Sequence, residues 1–340
     1  MRLLFIGFGT VGQGLADLLL EKKDLLAKKY GFEFVVTGIS DINIGSMYDP
    51  EGIDLGKAVE AVRKTGKLDS SCGPVYDGDA LNMIQEADAD VVLEVTYTDI
   101  KTGEPATAHV MKAFSRGIHV ITTNKGPVAL HYHELAELAK AKGVKFLFEG
   151  TVMSGTPVLN LIRETLTGSS IQEIKGILNG TTNYILTQME AGLSYANALK
   201  KAQELGYAEA VPDADVLGWD ALAKVTILAK VEFGADKGPF DYPCEGITGI
   251  SAEAVAEASE IGKRYKLIGR VWREANNVKA SVSPEKVDLS HPLAGVMGAT
   301  NALTLVTDTL GEMTIVGPGA GKRETGFSLL VDLLKVGGIK

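Results

Sequence analysis

Arg2-Leu3-Leu4-Phe5-Ile6-Gly7-Phe8-Gly9-Thr10-Val11-Gly12-Gln13-Gly14 is the stretch on which the fold turns. An apolar, strand-forming run stops at a glycine, and a helix-forming run opens three residues later. In that context Gly7 permits a tight turn, Gly9 lets the main chain approach a pyrophosphate, and Gly12 permits close packing of helix on sheet. The helix start at Thr10 and Val11 adds unpaired N–H groups for an anion. The spacing is that of a dinucleotide-binding fingerprint, and its weight comes from the strand before it and the helix after it, since a bare glycine pattern is equally a structural turn. Asp41 closes the second predicted strand, where an acidic side chain reaches the ribose hydroxyls of NAD. It lies farther from Gly12 than the usual ~20 residues because the charged stretch Glu21 to Tyr30 lengthens the first helix. Lys57 and Arg63 follow and are alternatives that would meet a 2'-phosphate, so NAD against NADP stays open.

Working outward, Leu3 to Ile6, Phe34 to Ile39, Val91 to Val95, His119 to Thr122 and Val144 to Phe148 are strand candidates. Helical stretches such as His131 to Lys142, stopped by Gly143, fall between them. This alternation predicts an α/β domain with a doubly wound, mostly parallel sheet. After Thr151 the pattern shifts to longer helices, Tyr195 to Leu205 and Val216 to Phe233, with strand-like pieces at Glu173 to Leu178, Val278 to Val282 and Thr304 to Thr309. We therefore expect a dinucleotide-binding domain over 1–148 and 316–340 and a second α+β domain over 149–315.

Composition narrows the functional classes. A chain of 340 residues with 45% hydrophobic and 23% charged residues is ordinary for a globular protein. Its net charge of -9 offers no basic surface, so nucleic acid is not an expected partner. Cys72 and Cys244 are the only cysteines, too few and too far apart for a disulfide framework or a zinc site, which fits a reducing, cytoplasmic setting. No uninterrupted apolar run of membrane-spanning length occurs, and no membrane partner is expected.

The densest chemistry lies in Gly206-Tyr207-Ala208-Glu209-Ala210-Val211-Pro212-Asp213-Ala214-Asp215 and on to Lys224. Asp220 and Lys224 are four apart on a predicted helix and share a face. A solvent-facing ion pair would have polar neighbours, whereas these sit among apolar residues, and a part-desolvated lysine beside an aspartate is typical of proton-transfer groups. A divalent metal on the acids is a further alternative. Thr122-Thr123-Asn124-Lys125 ends a predicted strand, which places Lys125 toward the ligand crevice of a parallel sheet. Glu149-Gly150-Thr151-Val152-Met153-Ser154-Gly155-Thr156 is another strand end, where bunched carbonyls suit a monovalent cation. Gly180-Thr181-Thr182-Asn183 offers hydroxyls and N–H groups, and His131 with His133 has ligand spacing but no third ligand nearby.

Taken in order, GFGTVG, TTNK, FEGTV, GILNGTTNYIL, GYAEAVPDADVLGWDALAKVTIL and GPGAG resemble the successive signatures of the homoserine dehydrogenases over essentially the whole chain. The resemblance implies a Rossmann-like nucleotide domain and a catalytic and dimerisation domain on an open mixed sheet. It implies reversible NAD(P)-linked reduction of L-aspartate 4-semialdehyde to L-homoserine, a step of threonine, methionine and isoleucine biosynthesis, in a homodimer. Carried over by motif, Lys224 is the general acid and base, with Asp220 and Lys125 as partners. Glu209, Asp215, Asp220, Gly180, Thr181 and Tyr207 line the substrate pocket. Gly7, Gly9, Thr10, Val11, Gly12, Asp41, Thr96, Lys125, Gly321 and Thr325 touch the cofactor. The carbonyls of Glu149, Val152, Ser154 and Thr156 match a sodium site. The competing readings are another NAD(P)-dependent amino-acid dehydrogenase acting at a C–N bond, and a dinucleotide-sensing regulator without turnover.

Overall fold

Strand β1 (Arg2–Ile6) is buried from Leu3 onward and holds a central place in a six-stranded sheet of order β3-β2-β1-β4-β5-β6. The computed structural model describes residues 1–339. α1 (Thr10–Tyr30) follows the glycine turn, then β2 (Val35–Asp41), β3 (Gly45–Tyr48), α2 (Leu55–Thr65), α3 (Ala80–Glu86), β4 (Val91–Glu94), α4 (Ala106–Ser115), β5 (His119–Thr122), α5 (Lys125–Lys142) and β6 (Phe146–Leu147). All neighbours pair in parallel except β2 and β3, which form an antiparallel hairpin. The parallel strands are buried almost throughout, as strands covered on both faces must be.

Several boundaries differ from the sequence reading, three of them with a clear local cause. α5 begins at Lys125 rather than His131, because Asn124 caps it through Gly126 N at 3.1 Å and Pro127 falls in the first turn, where no N–H is needed; His131, with φ -119°, marks a kink. β6 is only two residues long, since Val144 N is spent on Ala139 O at 3.0 Å in closing that helix. The first compact unit extends to Gly155 instead of Phe148: a 3-10 turn at Glu149–Thr151 is tied down where Glu149 N donates to Asp332 Oδ2 at 2.9 Å.

The second unit spans Thr156–Ala320. It contains α6 (Val158–Asn160), which runs into a π turn at Leu161–Thr165, then β7 (Ile171–Ile177), α7 (Gly180–Glu190), α8 (Tyr195–Glu204), α9 (Asp213–Val216), α10 (Trp219–Phe233), α11 (Ala252–Glu260), β8 (Lys263–Glu274), β9 (Asn277–Asp288), β10 (Thr300–Thr307) and β11 (Gly311–Pro318). The single helix expected over Val216 to Phe233 is broken, because Gly218 takes φ +86° and separates α9 from α10. α10 is buried on every side and packs on β8 and β9. The five-stranded sheet has the order β11-β10-β7-β8-β9, and every strand pair is antiparallel rather than mixed. Short hairpins at Ala275-Asn276 and at Asp308-Thr309-Leu310 impose that direction on β8 with β9 and on β10 with β11. β11 continues to Pro318 opposite Thr300, which moves the end of this unit from Ile315 to Ala320.

α12 (Lys322–Val336) belongs to the first unit. It crosses α1 glycine to glycine: a Cβ on Gly326 would meet the Gly14 carbonyl carbon at 2.5 Å, and one on Gly14 would meet Lys322 O at 2.1 Å. Leu329, Leu330 and Leu333 then join Leu15, Leu18 and Leu19 in one core cluster.

Candidate active site

The cofactor end of the first unit is built from main chain. Gly7 has φ +95°, and a Cβ there would lie 2.6 Å from Val95 O, so only glycine fits between β1 and β4. A Cβ on Gly9 would meet nothing within 4 Å, which leaves that face open, and one on Gly12 would strike Gly7 O at 2.9 Å. α1 has no side-chain N-cap, so the amides of its first turn, including Thr10 and Val11, have no helical acceptor. An open glycine face before an uncapped helix start fits a bound pyrophosphate.

Asp41 is brought to this turn. Its Oδ2 accepts from Phe8 N at 2.8 Å, and its Oδ1 accepts from Asn43 N at 2.8 Å and Ile44 N at 3.0 Å. The carboxylate therefore fixes both the glycine turn and the β2–β3 hairpin. Lys57 pairs with Asp54 at 3.6 Å and Arg63 with Asp17 at 2.6 Å, so both cations have acidic partners of their own. Thr96 follows β4, its hydroxyl and amide donating to Glu94. Lys125 is the first residue of α5, Gly321 precedes α12 with φ +136°, and the Thr325 hydroxyl is 3.0 Å from that of Ser154.

In the second unit the site is built from side chains. β7 ends at Ile177, and the next residues, Leu178 and Asn179, lead into α7. Lys224 Nζ donates to Leu178 O and to Asp220 Oδ2, both at 2.7 Å, with the lysine only 9% exposed. The same Asp220 oxygen accepts from Asn179 Nδ2 at 2.9 Å, and that amide also donates to Asp215 Oδ1 at 2.6 Å. Asn179 meanwhile caps α7 by accepting from Thr182 N at 2.9 Å. One asparagine thus joins α7, α9 and α10 into a chain running Lys224, Asp220, Asn179, Asp215. Burial, and then the charge of Asp220, raises the pKa of Asp215 above the ordinary aspartate value, against the opposing pull of Asn179 and Lys224.

Thr181 Oγ1 donates to Tyr207 O at 2.6 Å, and the Tyr207 ring packs against Tyr184 at 5.0 Å, so the GTT turn and the Tyr207 loop meet. Glu209 is exposed, and its carbonyl accepts from Gln203 Nε2 at 3.1 Å. Thr156 Oγ1 donates to Pro318 O at 3.1 Å. Among the described residues no group of three or more His, Cys, Asp or Glu side chains is placed to hold a metal. No helix among them is long and apolar enough to cross a membrane. The sequence reading overlooked Asn179; its signal was an asparagine immediately before a helix start. It also overlooked Glu94, whose place within an apolar strand gave none.

A family model described as homoserine dehydrogenase matches residues 157–334, and one described as homoserine dehydrogenase, NAD binding domain, matches residues 7–149. The chain is 42% identical to an NAD(+)-dependent homoserine dehydrogenase of Pseudomonas canavaninivorans, covering 98% of this chain and 96% of that one. It is 43% identical to a homoserine dehydrogenase of Methanocaldococcus jannaschii, over 99% and 98%. Among solved structures, a putative homoserine dehydrogenase from Archaeoglobus fulgidus superposes with a TM-score of 0.89 at 40% identity, covering 99% of each chain. A hyperthermophilic archaeal homoserine dehydrogenase in complex with NADPH superposes with a TM-score of 0.84 at 32% identity, over 99% and 97%.

Proposed function

We propose that this chain, which belongs to the homoserine dehydrogenase family and interconverts L-homoserine and L-aspartate 4-semialdehyde with NAD(P), carries its proton-transfer chemistry on Lys224. The observation behind this is the pair of 2.7 Å bonds from Nζ to Leu178 O and Asp220 Oδ2. An ammonium has three protons, and these two acceptors fix the direction of the third. When bound, the dinucleotide supplies or accepts a hydride. In reduction Lys224 gives a proton to the substrate oxygen as negative charge develops there; in oxidation its neutral form removes the hydroxyl proton. Asp220 sets the orientation of Nζ.

The substrate ammonium is assigned to Asp215 and Asp220, with Glu209 and Tyr207 at the margin of the pocket. Its carboxylate is assigned to the first amides of α7, at Gly180 and Thr181, where no helical acceptor exists. Thr96, Lys125, Gly321 and Thr325 join the glycine turn as cofactor contacts. The carbonyls of Glu149, Val152, Ser154 and Thr156 are the proposed sodium ligands. We place the reaction in threonine, methionine and isoleucine biosynthesis, in the cytoplasm.

Nicotinamide absorbance followed with homoserine, aspartate 4-semialdehyde and aspartate as separate substrates tests this assignment. Turnover with the first two alone is expected. Turnover of aspartate with release of ammonia points instead to a C–N dehydrogenase, and dinucleotide binding without any turnover points to a sensor.

The edge strands β9 and β11 leave paired partners on one side only, and continuing that sheet across a two-fold axis would cover an edge. A homodimer formed through the second unit is therefore part of the proposal. Light scattering is expected to give twice the chain mass at micromolar concentration, and a 36.0 kDa species would remove it.

A further inference from the structure

The end of β4 carries a carboxylate that the assignment above does not use. Glu94 is fully buried, and a buried carboxylate needs donors around it. The Thr96 hydroxyl donates to its Oε1, and Thr96 N donates to the same oxygen at 3.3 Å. Thr122 Oγ1 lies 2.7 Å from the Glu94 carbonyl and 3.2 Å from Oε2. Nδ1 of His109, itself buried, stands 3.4 Å from Oε1.

This cluster adjoins the glycine turn, because a Cβ on Gly7 would lie 2.6 Å from Val95 O and 2.9 Å from Thr96 N. In a doubly wound sheet the half carrying the acidic strand end, here β1 to β3, takes the adenosine end of a dinucleotide, and the other half takes the nicotinamide end. Thr96 belongs to the second half.

A hydroxyl has one proton. Thr96 gives its proton to Glu94, so toward a ligand it can only accept. On β5 the Thr122 hydroxyl has the main-chain carbonyl of Glu94 as its nearest acceptor and accepts from Asn124 N at 2.9 Å. Asn124 in turn donates to Tyr97 O at 2.8 Å and caps α5 through Gly126 N at 3.1 Å.

We propose that Glu94 is a positioning residue for the nicotinamide end of the cofactor: by taking the proton of Thr96 it makes that hydroxyl an acceptor matched to the carboxamide N–H of nicotinamide. The inference rests on the dinucleotide part of the reading above and not on the identity of the substrate. His109 closes the cluster on the side of α4.

The test is calorimetric binding, without homoserine, of the preferred dinucleotide and of its 3-acetylpyridine analogue, in which a methyl group replaces the carboxamide nitrogen. The wild-type protein should favour the native dinucleotide. Thr96→Val should reduce that preference by about five- to tenfold, the worth of one hydrogen bond, while Thr96→Ser keeps it. Glu94→Gln, with a melting temperature close to wild type, should also reduce the preference, because a neutral amide accepts more weakly and also presents an N–H₂ to Thr96. An unchanged preference in Thr96→Val, or equal weakening of both dinucleotides by Glu94→Gln, overturns the proposal. Should Glu94→Gln fail to fold, an unchanged preference in Thr96→Val still overturns the proposal. Because substrate is absent, a failed dehydrogenase assay and a failed preference test remain separate results.

Discussion

The glycine turn of the first unit and the lysine cluster of the second approach binding in opposite ways. The turn presents main-chain amides and an absence of side chain: Gly7 is pressed against Val95 O, Gly9 is open, and α1 starts without a cap. The cluster presents side chains, with Asn179 tying together three helices that are separate in sequence. A site of the first kind tolerates no added atom, while one of the second kind tolerates shape changes but no lost proton. Substitutions that exploit this difference should separate the two.

The largest effect is expected from Lys224→Ala, which should lower kcat by ~10²-fold or more through loss of the proton donor. Dinucleotide affinity, read by fluorescence titration, should stay within about twofold of wild type by the same reasoning. A matching loss of dinucleotide binding would erase the contrast between the regions.

Gly7→Ala reverses the pattern. With φ +95° and a Cβ placed 2.6 Å from Val95 O, it should cost about 1–3 kcal/mol of backbone strain. The same change should weaken dinucleotide binding by roughly tenfold. KM for homoserine is the control that ought to stay put.

Asp215→Asn sharpens the comparison within the second unit. Its folded pKa lies above the unfolded value, so the stability linked to its protonated form is present below the unfolded pKa and is lost as pH rises through the folded pKa. The amide variant should therefore melt higher than wild type at pH 8 and by a smaller margin at pH 4, while kcat/KM falls several-fold. An equal shift in melting temperature at both pH values would show that the carboxylate is not ionising against burial.

The smallest effect is expected at Asp41. Loss of an acceptor for Phe8, Asn43 and Ile44 amides should cost about 1 kcal/mol. Removing its charge should shift the NADP-to-NAD ratio of kcat/KM upward by a few-fold. A ratio that does not move would confine Asp41 to shaping the turn.

Much of the first unit was legible because its information is local. A strand, four glycines and a helix start lie within thirteen residues, and their burial follows the apolar pattern directly. In the second unit the i,i+4 spacing of Asp220 and Lys224 was legible and gives the 2.7 Å pair observed. What bound that pair to Asp215 was not, because Asn179 reaches both acids only after β7, α9 and α10 have packed. β8 was missed for a related reason. Lys263, Arg264, Lys266, Arg270 and Arg273 obscure its apolar pattern, and Lys266 is buried nonetheless, its Nζ donating to Asn183 Oδ1 at 2.9 Å and to Val296 O at 2.5 Å. Burial pushes that lysine down to about 8. Glu94 was hidden because a charge inside an apolar strand reads as an interruption until its contacts with Thr96, Thr122 and His109 are in place.

The glycine crossing of α1 and α12 has a consequence for biosynthesis. Thr156–Ala320 is one uninterrupted length of chain, so all of its own residues are present as soon as it clears the ribosome. The cofactor unit, although translated first, lacks Leu329, Leu330 and Leu333 from its core until residues 322–336 emerge. Its nascent sheet must wait, with one flank of α1 uncovered, while the whole of the other unit is made. In order of completion, the part of the enzyme that is written first is finished last.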